Sequence, residues 1–330
     1  MLRPYCMALM GLFCFSLLSA QSSSNASPYV EVLHPKYSQL LRVVNTPELQ
    51  SEGWYNLRAP KFWQRAMQMG ADSSLVNVAW TREILMEVST KRWDKLGYSA
   101  QKRFLIETRA LNRLPKTTRI YVTSGKRDFY QIEKVLPQIS ASIPVFEQES
   151  VSPWYAQAIL LIESPGTLRA SPAGAYGPFQ LMPAVARQHG LRVNSRIDDR
   201  ANLPKAAAGA ARLIKKVCIP ETKRLLARYR IPYDEEETWF KLLVLHAYHA
   251  GAGNVAKAFT VLKPRQGGMK LIKQLWNARK GGYQNASQNY SQVALAAMLE
   301  LQRVVDTQCL TLEKLAQGRE GLPWYVDAEE

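Results

Sequence analysis

The stretch ILLIESPGTLRASPAGAYGPFQLMP, Ile159 to Pro183, sets one carboxylic acid, Glu163, at the end of an unbroken apolar run. Just upstream, Ser152 is placed to cap a helix and Pro153 suits its first turn. From Trp154 to Ile162 nearly every residue is apolar, which predicts a helix buried on most sides. Glu163 continues the face of Ala156, Ile159 and Leu160, at helical spacings. Pro165 and Gly166 predict the helix end just past it. A loop of Pro, Gly, Ser and Ala follows, then Gln180 and Met182, and Pro183 opens the next helix. An oily surrounding disfavours an ionised carboxylate, and a polar, glycine-lined cleft admits a substrate; together they make a general acid. The same position also suits a structural Glu satisfied by an arginine or a backbone amide.

The segment resembles the catalytic motif of the lytic transglycosylases that cut bacterial peptidoglycan, the goose-lysozyme-like group. That family has a catalytic Glu followed by Ser, a loop ending Ser-x-x-Gly-Ala, and then Gly-Leu-Met-Gln-Leu-Met-Pro. Here the pattern stands as Glu163-Ser164, Ser171-Pro172-Ala173-Gly174-Ala175 and Gly177-Pro178-Phe179-Gln180-Leu181-Met182-Pro183. Two further motifs follow in order. Ala247-Tyr248-His249-Ala250-Gly251 is similar to the family's Ala-Tyr-Asn-Ala-Gly, and Gln288-Asn289-Tyr290 is similar to its late Glu-Thr-x-x-Tyr element. Ile197-Asp198-Asp199-Arg200 resembles a segment of the membrane-bound D-type branch. The chain departs from the pattern in a shorter loop after Glu163, in Pro178-Phe179, in His249 for Asn, and in Ala286 where the family carries Glu.

The resemblance implies a mainly α fold: a lysozyme-like helical catalytic domain over residues 129–311, preceded by a mixed, mostly helical region over 27–128 and followed by a tail from 312 to 330. It implies Glu163 as the single catalytic acid and later base, with no cofactor and no metal. Ser171 and Gln180 would hydrogen-bond the glycan beside Gly174, and Phe179 and Met182 would supply apolar walls. Tyr248, His249, Ala250 and Tyr290 would line the cleft next to the acid, although Tyr290 also heads an apolar stripe and reads equally as a core tyrosine. The implied reaction is non-hydrolytic cleavage between N-acetylmuramic acid and N-acetylglucosamine, leaving a 1,6-anhydro end. A muramidase using water on the same bond, and a non-catalytic peptidoglycan-binding protein, are the competing readings.

The chain has 330 residues and a net charge of +16, with Arg3 the only charge before residue 28. A basic surface suits nucleic acid, an anionic membrane or an acidic polymer. The basic residues are scattered, and no zinc-finger, RNP or helix-turn-helix pattern stands out, which argues against nucleic acid. Peptidoglycan stems carry carboxylates and fit as the partner. At the N-terminus Arg3 precedes an apolar core from Tyr5 to Leu18 and a polar run, the pattern of an export signal, with cleavage expected within residues 1–26. Export places the mature chain in the periplasm or cell envelope of a bacterium, and no later segment is apolar enough for a transmembrane span. Cys6 and Cys14 would leave with the signal; Cys218 and Cys309 remain, an even pair in an oxidising compartment, and predict a disulfide.

Periodicity predicts helices over Ala79–Glu87 and Ser99–Leu111, and TRIYVT at 118–123 predicts a strand. The tryptophans at 54, 63, 80 and 93 read as core more readily than as a glycan groove. Leu203, Ala207, Ala210, Ile214 and Val217 mark one helix, Trp239 to His246 another, and Tyr290, Val293, Ala297, Leu301 and Val304 a third, separated by long connections over 219–238 and 264–285. His246 and His249 could both reach a zinc ion, but no third ligand has motif spacing. His246 therefore reads as a core residue. No Gly-x-Ser-x-Gly or Gly-x-x-x-x-Gly-Lys occurs, so serine-hydrolase and phosphate-loop chemistry have no support.

Overall fold

The computed structural model describes residues 27–163, 168, 170–284 and 286–311. The expected export signal, Ser164, the helix stop at Pro165–Gly166 and the tail from 312 lie outside the described residues. The protein is mainly helical. Strands β1 (Tyr29–Leu33) and β2 (Leu40–Val44) pair antiparallel, and a short helix α1 (Glu48–Ser51) leads to α2 (Arg58–Gln68). Strands β3 (Ser73–Val78) and β4 (Ile84–Ser89) form a hairpin, followed by helices α3 (Thr90–Asp94) and α4 (Tyr98–Leu111). Strand β5 (Ile120–Ser124) then returns to the other edge of β3, giving an antiparallel sheet of order β4-β3-β5.

Helices follow from there: α5 (Ile132–Gln148), α6 (Pro153–Ile162), α7 (Pro183–Gln188), α8 (Leu203–Leu213), α9 (Ile219–Arg228), α10 (Thr238–Ala250), α11 (Ala252–Leu262), α12 (Gly268–Leu275) and α13 (Ala286–Gln308). Strand β6 (Leu310–Thr311) then pairs with the outer edge of β1, tying the two ends of the described chain together. Among the described residues no helix is long and apolar enough to cross a membrane.

Helix α6 lies at the centre. Ser152 Oγ accepts a hydrogen bond from the Trp154 amide at 3.4 Å, Pro153 occupies the first turn, and all nine residues from Trp154 to Ile162 are buried. Helices α5 and α13 and strand β2 pack around it. Truncating Ile159, Leu160 or Leu161 to alanine would cost about 2–5 kcal/mol each. One apolar cluster runs from Val32 to Cys309, and a smaller one, Phe62, Ala66, Met69 and Leu75, lies between α2 and the second sheet.

The chain departs from the sequence-based expectations in four places. Ala79–Glu87 is not a helix: Arg82 turns the chain at φ +58°, and Ile84 to Ser89 pair with β3, so strand pairing overrides a weak local helical pattern. The expected connections over 219–238 and 264–285 contain α9 and α12, both strongly amphipathic helices with short apolar faces.

The fourth departure concerns the cysteines. Cys218 and Cys309 are not bridged; both are buried thiols. A π-helical segment, Ile214–Cys218, joins α8 to α9 without a break, so Cys218 sits inside a continuous helical run. There it bears electrostatically on Tyr290, near the start of α13. Cys309 follows the end of that helix, about 28 Å further on at 1.5 Å per residue, whereas a disulfide needs its Cα atoms within about 7 Å. Burial pushes the Cys218 thiol up to about 12.

Gln157 locks the central helix to the first sheet. It is fully buried, accepts from the Val44 amide at 2.8 Å and donates to the Val44 carbonyl at 3.1 Å. Gln157→Leu keeps the volume but leaves both peptide groups of Val44 without their partner. It should lower stability by about 2–4 kcal/mol, read as a drop in the urea midpoint; an unchanged midpoint would show that the pairing contributes nothing.

Candidate active site

Glu163 caps the C-terminal end of α6 and is the first residue after the buried run from Trp154 to Ile162 to reach the surface. Its amide still donates to the Ile159 carbonyl at 2.9 Å, so the backbone is held by the helix while the side chain, 18% exposed, faces out. Its Oε1 accepts a hydrogen bond from the Tyr290 hydroxyl at 2.8 Å. Tyr290 in turn stacks on the His249 ring, centroids 4.2 Å apart and planes 21° apart. His249 Nδ1 lies 3.8 Å from the same Oε1, beyond hydrogen-bond length.

Three phenols surround the acid: Tyr130, Tyr248 and Tyr290 are each pushed above the usual tyrosine range, first by burial and then by the nearby Glu163 charge. They therefore stay protonated and act as neutral donors. Among the described residues, Glu163 is the one carboxylate that bears on any of the three.

The loop opposite is held by one buried guanidinium. Arg200 Nη1 donates to the carbonyls of Gly174 and Leu181, both at 2.9 Å, while Nε and Nη2 grip Asp198 at 2.9 and 2.7 Å. The hydrogen bonds from Arg200 hold the Asp198 carboxyl below its usual range. Arg200 also lies over the Tyr176 ring. Gly177 adopts φ +83°, and a Cβ there would overlap the Arg200 carbonyl oxygen, so only glycine fits. Neighbouring Asp199 pairs with Arg192 and Lys205 and is held lower still, first by the Arg192 hydrogen bond. The Asp-Asp-Arg run thus works as a brace under the cleft loop.

The residues singled out in the sequence fall into two groups. Glu163, His249 and Tyr290 come together directly, and Met182 is 40% exposed, as a wall residue would be. Others serve the loop itself. Ser171 Oγ accepts from the Ala175 amide at 3.0 Å, Gly174 turns at φ +91°, and Gln180, at φ +46°, donates from Nε2 to the Gly177 carbonyl at 3.0 Å. The Ala250 carbonyl, at the end of α10, accepts from Asn254. The Phe179 ring corrects an expectation: it is fully buried and stacks on Phe146 at 5.8 Å, so it presents no face to a sugar. The Phe179 carbonyl instead accepts from the Tyr248 hydroxyl at 2.6 Å, which commits that hydroxyl to holding the loop.

His246 belongs to the core. Its ring nitrogens meet Ser291 Oγ at 2.9 Å and the Tyr283 hydroxyl at 3.0 Å, and Trp276 donates to the same Ser291 oxygen. Among the described residues no group of three potential ligands could hold a metal. Tyr130 and the bracing role of Arg200 were not foreseen. Tyr130 lies upstream of every motif and carries no local signature, whereas the arginine beside two aspartates was visible only as a family likeness.

The family model described as the Transglycosylase SLT domain matches residues 143–266. No curated protein matches the chain. The matched segment holds α6, Glu163, the braced loop and the Tyr248–His249 corner, and it is a lysozyme-like helical domain. The protein is thus a peptidoglycan lytic transglycosylase, a lyase acting on polysaccharide. Tyr290 and everything before residue 143 lie beyond the match.

Burial pushes His246 from 6.5 down to about 3. Between those values the unfolded chain binds a proton that the folded chain refuses, so stability is full above pH 6.5 and declines as the pH falls. The His246 contribution to the slope should approach about 1.4 kcal/mol per pH unit, measured as urea midpoints from pH 7 to pH 4. His246→Gln should flatten that decline; an equally steep decline in the variant would assign it elsewhere.

Proposed function

We propose that the enzyme cleaves the β-1,4 bond between N-acetylmuramic acid and N-acetylglucosamine without water, with Glu163 as acid and then base. The observation that carries this reading is the setting of Glu163: a single carboxylate at the end of a buried helix, ringed by neutral phenols. A glycosidase that activates water uses a second carboxylate, whereas the groups that meet Glu163 Oε1 among the described residues are Tyr290 and His249.

Tyr290 donates to Oε1, and the carboxyl carries the proton. That proton passes to the glycosidic oxygen as the bond to the muramic C1 breaks, and the sugar's own acetamido oxygen stabilises the cation. The carboxylate then takes the proton of the C6 hydroxyl as its oxygen bonds to C1, giving the 1,6-anhydro ring and returning Glu163 to its acid form. Holding the hydroxyl and C1 in one molecule replaces the water-activating group. The open face of Met182 would wall the sugar, and the braced loop would present its backbone to it. The basic surface and the N-terminal pattern support an exported, periplasmic enzyme, and Ile197–Arg200 supports a place beside the membrane-bound D-type branch.

Glu163→Gln removes the proton carrier and keeps its size. Release of anhydro-muropeptides from purified sacculi, read by mass spectrometry, should fall by at least about a hundredfold. Tyr290→Phe should fall less, because it removes a donor and leaves the acid. Wild-type rates in Glu163→Gln would place the acid elsewhere, and reducing-end products from the wild type would make the enzyme a hydrolase.

A further inference from the structure

A second pocket, ≈ 320 Å³, lies round α13 from the acid, between that helix and the β3–β4 turn. Tyr290 faces Glu163, while Asn289 faces this pocket. Trp63, Trp80, Arg82 and Tyr121 line it from the N-terminal part of the chain, and Arg279 from the loop after α12. Two features set it apart.

Two large aromatics are exposed here side by side in one pocket lining, Trp80 at 46% and Tyr121 at 39%. Arg279 lies over the Trp80 ring at 4.4 Å. Arg82 is half-buried over Phe62 and Trp63, yet its hydrogen-bond partner is the neutral Asn289 Oδ1, at 2.8 Å. Among the described residues no carboxylate forms an ion pair with either guanidinium. A partly desolvated cation without a counter-charge is costly and invites an anion.

An indole with one face under Arg279 keeps its other face and edge as apolar surface for a sugar ring, and two arginines offer bidentate donors to a carboxylate. We propose that this pocket binds a carboxylate-bearing muropeptide of peptidoglycan outside the catalytic cleft, the amino sugar against Trp80 and Tyr121 and the stem-peptide carboxylate between Arg82 and Arg279. The assignment rests on peptidoglycan being the substrate. It gives the N-terminal part of the chain a role as a second hold on the polymer.

The test uses the mature Glu163→Gln protein, ¹⁵N-labelled, with the Trp80 indole signal assigned by Trp80→Phe. A disaccharide-tetrapeptide muropeptide should shift that signal to saturation, and the same disaccharide without its peptide should shift it at about tenfold weaker affinity. Arg279→Ala, an exposed change, should weaken the peptide-bearing ligand about tenfold and the peptide-free one little. An unmoved Trp80 signal, equal affinities for the two ligands, or an unchanged affinity in Arg279→Ala would overturn the proposal. Release of anhydro-muropeptides by the wild type is scored separately, so loss of the catalytic reading and loss of this pocket give different results.

Discussion

Everything at the catalytic end depends on α6 being apolar on every side. A helix with no polar face has to be wrapped completely, and here α5, α13 and β2 do the wrapping. The polar residue inside it, Gln157, is tolerated because both ends of its amide are met by Val44. Glu163 inherits the rigidity of that packing. It stands one residue past the last buried isoleucine, so its carboxylate reaches the surface on a backbone that cannot shift without opening the core. A carboxylate whose position is set this way needs little help from neighbours, and the hydrogen bond from Tyr290 orients it without neutralising it.

The loop facing the acid has the opposite character. Its backbone turns through positive φ at Gly174, Gly177 and Gln180, and a single antiparallel bridge, Tyr176 with Leu181, closes the turn between them. Arg200 adds to that order, spanning two loop carbonyls with one nitrogen while Asp198 balances its charge. The Tyr248 hydroxyl fixes a third carbonyl. A rigid acid and a braced loop form the two walls, and the tyrosines between them are kept neutral by burial.

The catalytic half was legible in the sequence because its determinants are local. The apolar run to Ile162, the Ser152–Pro153 start, the glycine-rich loop and the stripe from Tyr290 to Val304 each declare themselves within a turn or two, and all are found in the structure. What escaped depends on long-range contacts. Ile84–Ser89 is a strand because β3 is there to pair with it, and nothing in ILMEVS enforces that choice. Phe179 sits in a motif that suggested a sugar wall, but Phe146, thirty-three residues earlier, draws the ring into the core. The cysteine pair looked bridgeable only while the course of α13 was unknown; Cys218 lies near Tyr290 at one end of that helix and Cys309 follows the other. His246 was read correctly because a single histidine on an apolar helical face has few other uses.

Helix α13 makes the N-terminal region part of the enzyme. One face presents Tyr290 to Glu163. Other faces receive α2: Trp63 donates to Gln292 at 3.2 Å, and Gln64 and Gln68 donate to the buried Glu300 carboxylate at 3.2 and 2.8 Å, beside Arg303. A buried carboxylate is stable only while its partners stay in place, so the docking of α2 and the position of α13 are coupled. The hydroxyl that orients the acid is therefore held on a helix whose other faces the N-terminal region covers. That region fixes one wall of the site through α13, and the matched domain alone, ending at residue 266, does not contain that helix.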